Sequence, residues 1–297
     1  MPHRLAMLLV ATFVALLAAC GGDTMKRVQD PFSGGYPMYR DEASGLDILF
    51  GTPDLGTGEQ RIAFAITARD ALVRAPAIEV IVRRGSERQA LSARYHPFPA
   101  GTRGVYVTQA TFAKTGDYTL DVAVPIEGKA TRLTFPVQVA ATPKSPAIGD
   151  RAPASRNRIS SDVGSLAELT TSTEADPALY RARIADALAA GRPFVVVFAS
   201  PAFCTTPLCG PQVEDLGALA KQYAGRAEFI HVDIYDNPHE IKGDLSRARR
   251  SPLLAEWGIS TDEWTFVVAS DGRVANRFEA YAAREEVEAA LKAVLAR

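Results

Sequence analysis

Pro193 is followed by Phe194, Val195, Val196, Val197 and Phe198, a continuous apolar run of strand length. A strand with no polar side must be covered on both faces, so the chain around it has to supply packing layers above and below a sheet. The flanking sequence offers them. Asp176-Pro177 reads as N-cap and first residue of a helix ending near Ala190, with Gly191 as its stop. A second helix is expected over 207–223, and 228–235 reads as another strand. Ser251-Pro252 opens a short helix through Trp257. Asp271-Gly272 then sits between two strand-like runs at 265–269 and 274–279, a hairpin signal. A last helix carries Val287, Leu291, Val294 and Leu295 on one face. Parallel strands need a helical crossover and the final pair closes by a tight turn, so the expected sheet is mixed.

Residues 45–140 follow a different pattern. Short runs alternate with period 2 between turn residues, as in Arg61-Ile62-Ala63-Phe64-Ala65-Ile66 and Asp117-Tyr118-Thr119-Leu120-Asp121-Val122, which predicts an antiparallel sandwich. The stretch from Gly104 through Phe112 to Leu120 resembles the late hairpin of immunoglobulin-like modules of exported bacterial proteins. His96, in Tyr95-His96-Pro97, is read as a loop residue without a role. Ahead of this block, 20–44 lack periodicity and are expected to form a tether. Behind it, 141–156 contain Pro143, Pro146 and Pro153 and read as a semi-stiff linker to a domain over 157–297.

The N-terminus sets the compartment. His3 and Arg4 precede an apolar run from Leu5 to Ala19, which as a helix would reach only about 22 Å, short of a bilayer core of about 30 Å. Residues 1–19 therefore read as a signal peptide. Leu17-Ala18-Ala19-Cys20 resembles the lipobox of bacterial lipoproteins, which implies lipidation of Cys20 and a mature protein held on a bacterial membrane, outside the cytoplasm. With 33 Lys+Arg against 34 Asp+Glu, the chain has no electrostatic footprint for nucleic acid. Of three cysteines, lipidation of Cys20 leaves Cys204 and Cys209 as one pair in a compartment where thiols tend to be oxidised.

That pair lies in Phe203-Cys204-Thr205-Thr206-Pro207-Leu208-Cys209-Gly210-Pro211, between the buried strand and the next helix. The segment, with Trp257-Gly258-Ile259 and the closing hairpin and helix, resembles the thioredoxin superfamily from about residue 175 to Arg297. The implied fold class is multidomain: an all-β immunoglobulin-like sandwich followed by an α/β thioredoxin-like domain with a mixed central sheet. The implied activity is thiol–disulfide exchange with a protein partner, without a cofactor. Three features depart from the family pattern: four residues separate the cysteines, Val196 stands where a buried acid is common, and Glu263-Trp264-Thr265 occupies the place of the cis-Pro-Thr. On an ideal helix, positions five apart are about 8.6 Å distant, too far for a disulfide, so Cys204 is expected in the loop and Cys209 in the first turn of a helix opening at Pro207. Cys204 is then the candidate nucleophile and Cys209 the resolving thiol. A disulfide that only staples the loop, or two inert thiols in an interaction module, remain open.

Three more residues enter. Trp264 is the candidate substrate gate, because its indole could cover the thiols, or else it is core at a strand start. His231 and His239 with the two cysteines make an alternative Cu(I) site, a soft thiolate pair with imidazole. Lys242, Arg247, Arg249 and Arg250 form a basic cluster, read as a solvated face or docking surface.

Overall fold

A computed structural model describes residues 24–30, 33–68, 73–98, 101, 103–126, 128–203, 206, 208 and 211–296. The export signal, Cys20, Cys204 and Cys209 lie outside the described residues.

Nine strands, β1 (Lys26–Val28), β2 (Met38–Asp41), β3 (Leu46–Phe50), β4 (Gly58–Ala68), β5 (Ala77–Arg84), β6 (Glu87–Pro97), β7 (Gly104–Phe112), β8 (Gly116–Ile126) and β9 (Lys129–Val139), form one sheet in the order β1-β2-β3-β4-β7-β6-β5-β8-β9. Each neighbouring pair is antiparallel. The two ends nearly meet: Met25 N donates to Thr134 O on β9 at 2.8 Å, and Ala140 N donates to Leu55 O at 3.0 Å. The alternation seen in sequence points one side of each strand inward, where Phe50, Phe64, Tyr106, Phe112 and Phe135 fill a closed core.

The second sheet is small. β10 (Phe194–Ala199), β11 (Glu228–Asp233), β12 (Trp264–Val268) and β13 (Val274–Glu279) lie in the order β11-β10-β12-β13, with only β10 and β11 parallel. Around it run α1 (Ile184–Ala189), α2 (Gln212–Gln222), α3 (Pro238–Ile241), α4 (Pro252–Glu256) and α5 (Arg284–Leu295). Alternate residues of β10 face opposite cores, Val195 and Val197 toward Leu216 and Leu291, Phe194 and Phe198 toward Trp257 and Phe266.

The expected fold class is corrected by this architecture. With about 40% strand and 20% helix, the chain is mostly β rather than a β-sandwich followed by an α/β thioredoxin-like domain. The strands of 45–140 do not divide into two facing sheets. β4, β6, β8 and β9 each run 11 residues, long enough to twist and curl one continuous sheet around its core. The helical layer anticipated in the second half also shrinks. The helix expected from Asp176 becomes a 3₁₀ turn, Pro177–Tyr180, and the six-residue α1, while the one expected from Pro207 starts only at Gln212. The segment expected to be a tether contributes β1 and β2, because Met25, Tyr36 and Tyr39 are buried and bring their backbone with them. His96 lies within β6, paired with Val105, rather than in a loop.

The two sheets share a seam. Along β4, Ile62, Phe64 and Ile66 enter the first core, while Ala63 and Ala65 turn outward onto Ala280, Tyr281 and Ala283. Small residues are required there: a Cβ on Gly51 would stand 3.0 Å from both Ala280 Cβ and Leu208 Cδ2. Arg61 crosses the seam, paired with Glu286 at 3.0 Å, and Arg277 meets Asp54 at 2.9 Å.

A buried acid sits in this seam. Glu279 accepts hydrogen bonds from Thr261 Oγ1 at 2.6 Å and Asp54 N at 3.0 Å, and burial pushes its carboxyl up to about 8 against these bonds and nearby Arg277. Between its ordinary range near 4.5 and about 8, the folded chain keeps a proton that the unfolded chain has lost. Stability must therefore fall as pH rises through that window. Denaturant melts at pH 5 and pH 9 are expected to show this loss in the wild type and a much smaller one in Glu279→Gln; equal pH dependence would contradict the assignment.

Candidate functional site

Parallel pairing brings the C-terminal ends of β10 and β11 side by side, with Ala199 opposite Asp233. Open sheets place their binding sites at such ends. Ser200 continues from β10 and is fully buried, and Phe203 N donates back to Ser200 O at 3.1 Å, so a tight turn delivers the chain to position 204. Beyond the cysteines, Pro211 caps α2. The helix expected to open at Pro207 begins at Gln212, and the expected placings of Cys204 and Cys209 lie outside the described residues.

The middle of this segment is anchored on both sides. Leu208 is fully buried in the seam, and its carbonyl accepts from Tyr281 N at 3.1 Å. Thr206 Oγ1 accepts from Leu208 N at 3.3 Å, and Thr206 O accepts from Arg103 Nη1, contributed by the connection between β6 and β7, at 3.5 Å. Gln212 Oε1 accepts from Ala282 N at 2.8 Å and holds the start of α2 to the chain after β13. Next to it, Asp215 Oδ2 accepts from the Tyr281 hydroxyl at 2.9 Å, and burial raises the carboxyl of Asp215.

A cleft of about 680 Å³ opens beside this segment, within the range of small-ligand sites. Phe98 and Arg103, from the connection between β6 and β7, form one wall, and Pro201, Gln212, Glu214 and Glu263 line the other.

Under the turn lies a polar cluster with no counterpart in the sequence reading. Asp233 is buried, and its Oδ2 accepts from Thr171 N at 2.7 Å and Thr171 Oγ1 at 2.9 Å, while Oδ1 accepts from Tyr235 N at 3.0 Å. Thr171 Oγ1 also lies 2.9 Å from Ser200 Oγ and accepts from Ala202 N at 3.3 Å. Burial pushes the Asp233 carboxyl up to about 6 despite these donors. The available signal was an acid closing a buried strand, Ile230-His231-Val232-Asp233, at the end where sites form.

The other expected residues do not converge. His231 Nε2 lies 3.1 Å from Ala199 O, a pure acceptor, so Nε2 carries the proton and Nδ1 accepts from the Tyr180 hydroxyl at 2.7 Å. Both nitrogens are used, and burial lowers the imidazole to about 4. This is a satisfied core histidine, not a copper ligand. His239 is exposed on α3, 3.9 Å from Glu240. Among the described residues no cluster suited to a metal ion occurs.

Trp264 is core. Its indole N–H donates to Thr261 Oγ1 at 2.8 Å, its ring stacks on Phe266 with centroids 5.4 Å apart, and Arg277 lies over the ring at 5.0 Å. A gate needs a side chain free to swing, and this one is held on three sides. In the basic cluster, Arg249 pairs with Glu240 and Arg250 with Asp262, each at 2.9 Å.

No family model and no curated protein matches this chain. Among solved structures, a filamin domain of Lin-41 aligns at 16% identity over 33% of this chain and 95% of its own, with a TM-score of 0.22. A putative glycoside hydrolase from Bacteroides vulgatus aligns at 12% identity over 34% of this chain and 22% of its own, with a TM-score of 0.19. Likeness at that level carries no conclusion about fold or activity.

Proposed function

We propose that the protein is a membrane-tethered, extracytoplasmic thiol–disulfide exchange protein in which Cys204 attacks a substrate disulfide and Cys209 resolves the mixed disulfide. The observation that carries this reading is the anchoring of the segment between the two cysteines: Thr206 and Leu208 are both buried, their carbonyls accept from Arg103 Nη1 and Tyr281 N, and Arg103 also lines the open cleft. A segment fixed in its middle limits how far its two ends can move apart. The resemblance of the Cys-bearing segment to thioredoxin active sites supports the same reading, and so does a lipobox that puts the pair in an oxidising compartment. The partner is a protein thiol or disulfide, and the chemistry needs no cofactor. Copper delivery has less support, since His231 has no nitrogen to give.

The test is a trap. In Cys209→Ser the mixed disulfide on Cys204 has no resolving thiol and should persist. The full-length variant, incubated with an oxidised protein substrate, is expected to give covalent adducts on non-reducing gels that disappear with reductant and are absent when Cys204 is also replaced by Ser. No adduct, with Cys204 free to alkylate, would contradict an exchange function.

A further inference from the structure

A cavity of about 480 Å³ opens in the seam and shares no lining residue with the cleft described above. One wall is β13, the edge strand of the small sheet, through Asn276 and Arg277. Glu59 and Gln60 of β4 and Gln109 of β7 form the facing wall, and the connection between the sheets contributes Ile148. Its volume suits a small ligand.

The strand edge in this cavity is open over a short stretch. Ala280 N donates to Glu263 O at 2.8 Å across the β12–β13 ladder, and antiparallel alternation then turns the backbone of Phe278 toward β12 and that of Arg277 away from it. The edge is closed on both sides of Arg277. Gly149 N donates to Val274 O and Val274 N to Asp150 O, each at 2.8 Å, while Arg61 Nη1 donates to Glu279 O at 3.1 Å. An unpaired strand edge takes up extended peptide backbone. Closure at Val274 and Glu279 limits that peptide to a few residues.

The charges of the walls decide its ends. Arg61 is matched by Glu286 and Arg277 by Asp54, and the two Glu279 oxygens accept from Thr261 Oγ1 and Asp54 N. A ligand of net charge would bring an unmatched charge into this partly desolvated seam, whereas a zwitterion brings none. One group of each sign is left to meet it. The Arg277 side chain is only 10% exposed, and its Nη1 has no hydrogen-bond partner among the described residues, a buried donor that a ligand acceptor would satisfy. Glu59 is exposed on the facing wall and forms no ion pair among the described residues. Ile148, 61% exposed, offers an apolar surface to a ligand side chain.

We infer that this cavity binds a di- or tripeptide with free termini, its backbone paired with Arg277 on the edge of β13, its carboxylate toward the Arg277 guanidinium and its ammonium toward Glu59. The site is independent of the cysteine pair and of the exchange reading.

The experiment is isothermal titration calorimetry of the detergent-solubilised full-length protein at pH 7 with trialanine, N-acetyl-trialanine, trialanine amide and maltose. Trialanine is expected to bind saturably, and each capped peptide at least about tenfold more weakly, the loss of one charge-assisted hydrogen bond. Glu59→Gln, at an exposed position, should weaken trialanine by a similar factor and leave N-acetyl-trialanine unchanged. Asn276→Trp, which fills the cavity from a half-buried position, should abolish binding; Gln109→Trp on the facing wall does the same should the first variant not fold. No saturable binding of trialanine at millimolar concentration, or affinity unchanged in a folded cavity-filled variant, would overturn the site. Equal affinity for trialanine and its capped forms would overturn the role given to the termini, and binding of maltose without trialanine would overturn the peptide class.

Discussion

Arg61→Ala is expected to cost about 3–5 kcal/mol of stability, the penalty for stranding one partner of a desolvated ion pair. The Arg61 side chain is only 6% exposed and makes four bonds across the seam: Nε and Nη2 to the two Glu286 oxygens, each at 3.0 Å, and Nη1 and Nη2 to the carbonyls of Glu279 and Tyr281 at 3.1 and 2.8 Å. Burial works to raise the Glu286 carboxyl, and Arg61 more than offsets it, holding Glu286 below the ordinary carboxylate range. Truncation takes the guanidinium from two carbonyls and from the carboxylate, which keeps only the Ala283 N–H, at 3.1 Å, as a donor among the described residues. Glu286→Gln should cost less, since Arg61 keeps both carbonyls. Thermal melts are expected to place Arg61→Ala about 10 °C below wild type. A change within about 0.5 kcal/mol, typical of exposed pairs, would mean that the two sheets are not joined through this residue.

Trp264→Ala should be comparably damaging, by about 3–5 kcal/mol, because it empties a fully buried indole site. The loss extends beyond volume. Thr261 Oγ1 loses the donor at 2.8 Å, Phe266 loses its stacking partner, and the Arg277 guanidinium, whose Nη1 has no hydrogen-bond partner among the described residues, loses the ring beneath it. Chemical denaturation of this variant separates packing from gating. A gate residue removed would leave stability intact and speed alkylation of Cys204, and that outcome would contradict the placement of Trp264 in the core.

Local pattern was informative where one physical signal dominated. The all-apolar run 194–198 could only be a doubly covered strand, and β10 is buried throughout. Asp271-Gly272 marked the β12–β13 turn, and the spacing of Val287, Leu291 and Val294 marked the buried face of α5. The failures share a cause, which is that long-range packing overrode local composition. Met25 and Tyr39 look like isolated apolar residues in a polar leader, and only the curl of β9 back toward residue 24 gives them a core. Pro207 fits a helix start, but Leu208 finds a better site in the seam and the helix waits until Gln212. Single continuous sheet or two facing sheets is likewise not written in period-2 alternation, which both arrangements share. At the site, the cysteines were visible and their surroundings were not. Arg103 arrives from the connection between β6 and β7, and Asp233 and Thr171 are 62 residues apart.

The central claim is that Cys204 and Cys209 form a redox-active pair rather than a staple, and the reduction potential of that pair tests it most directly. Full-length protein would be equilibrated across a series of thiol–disulfide buffers and the fraction oxidised read by alkylation at the two positions. The account predicts a potential between about −120 and −270 mV, where thiol–disulfide oxidoreductases work. A potential below about −300 mV, in the range of structural disulfides, would contradict it.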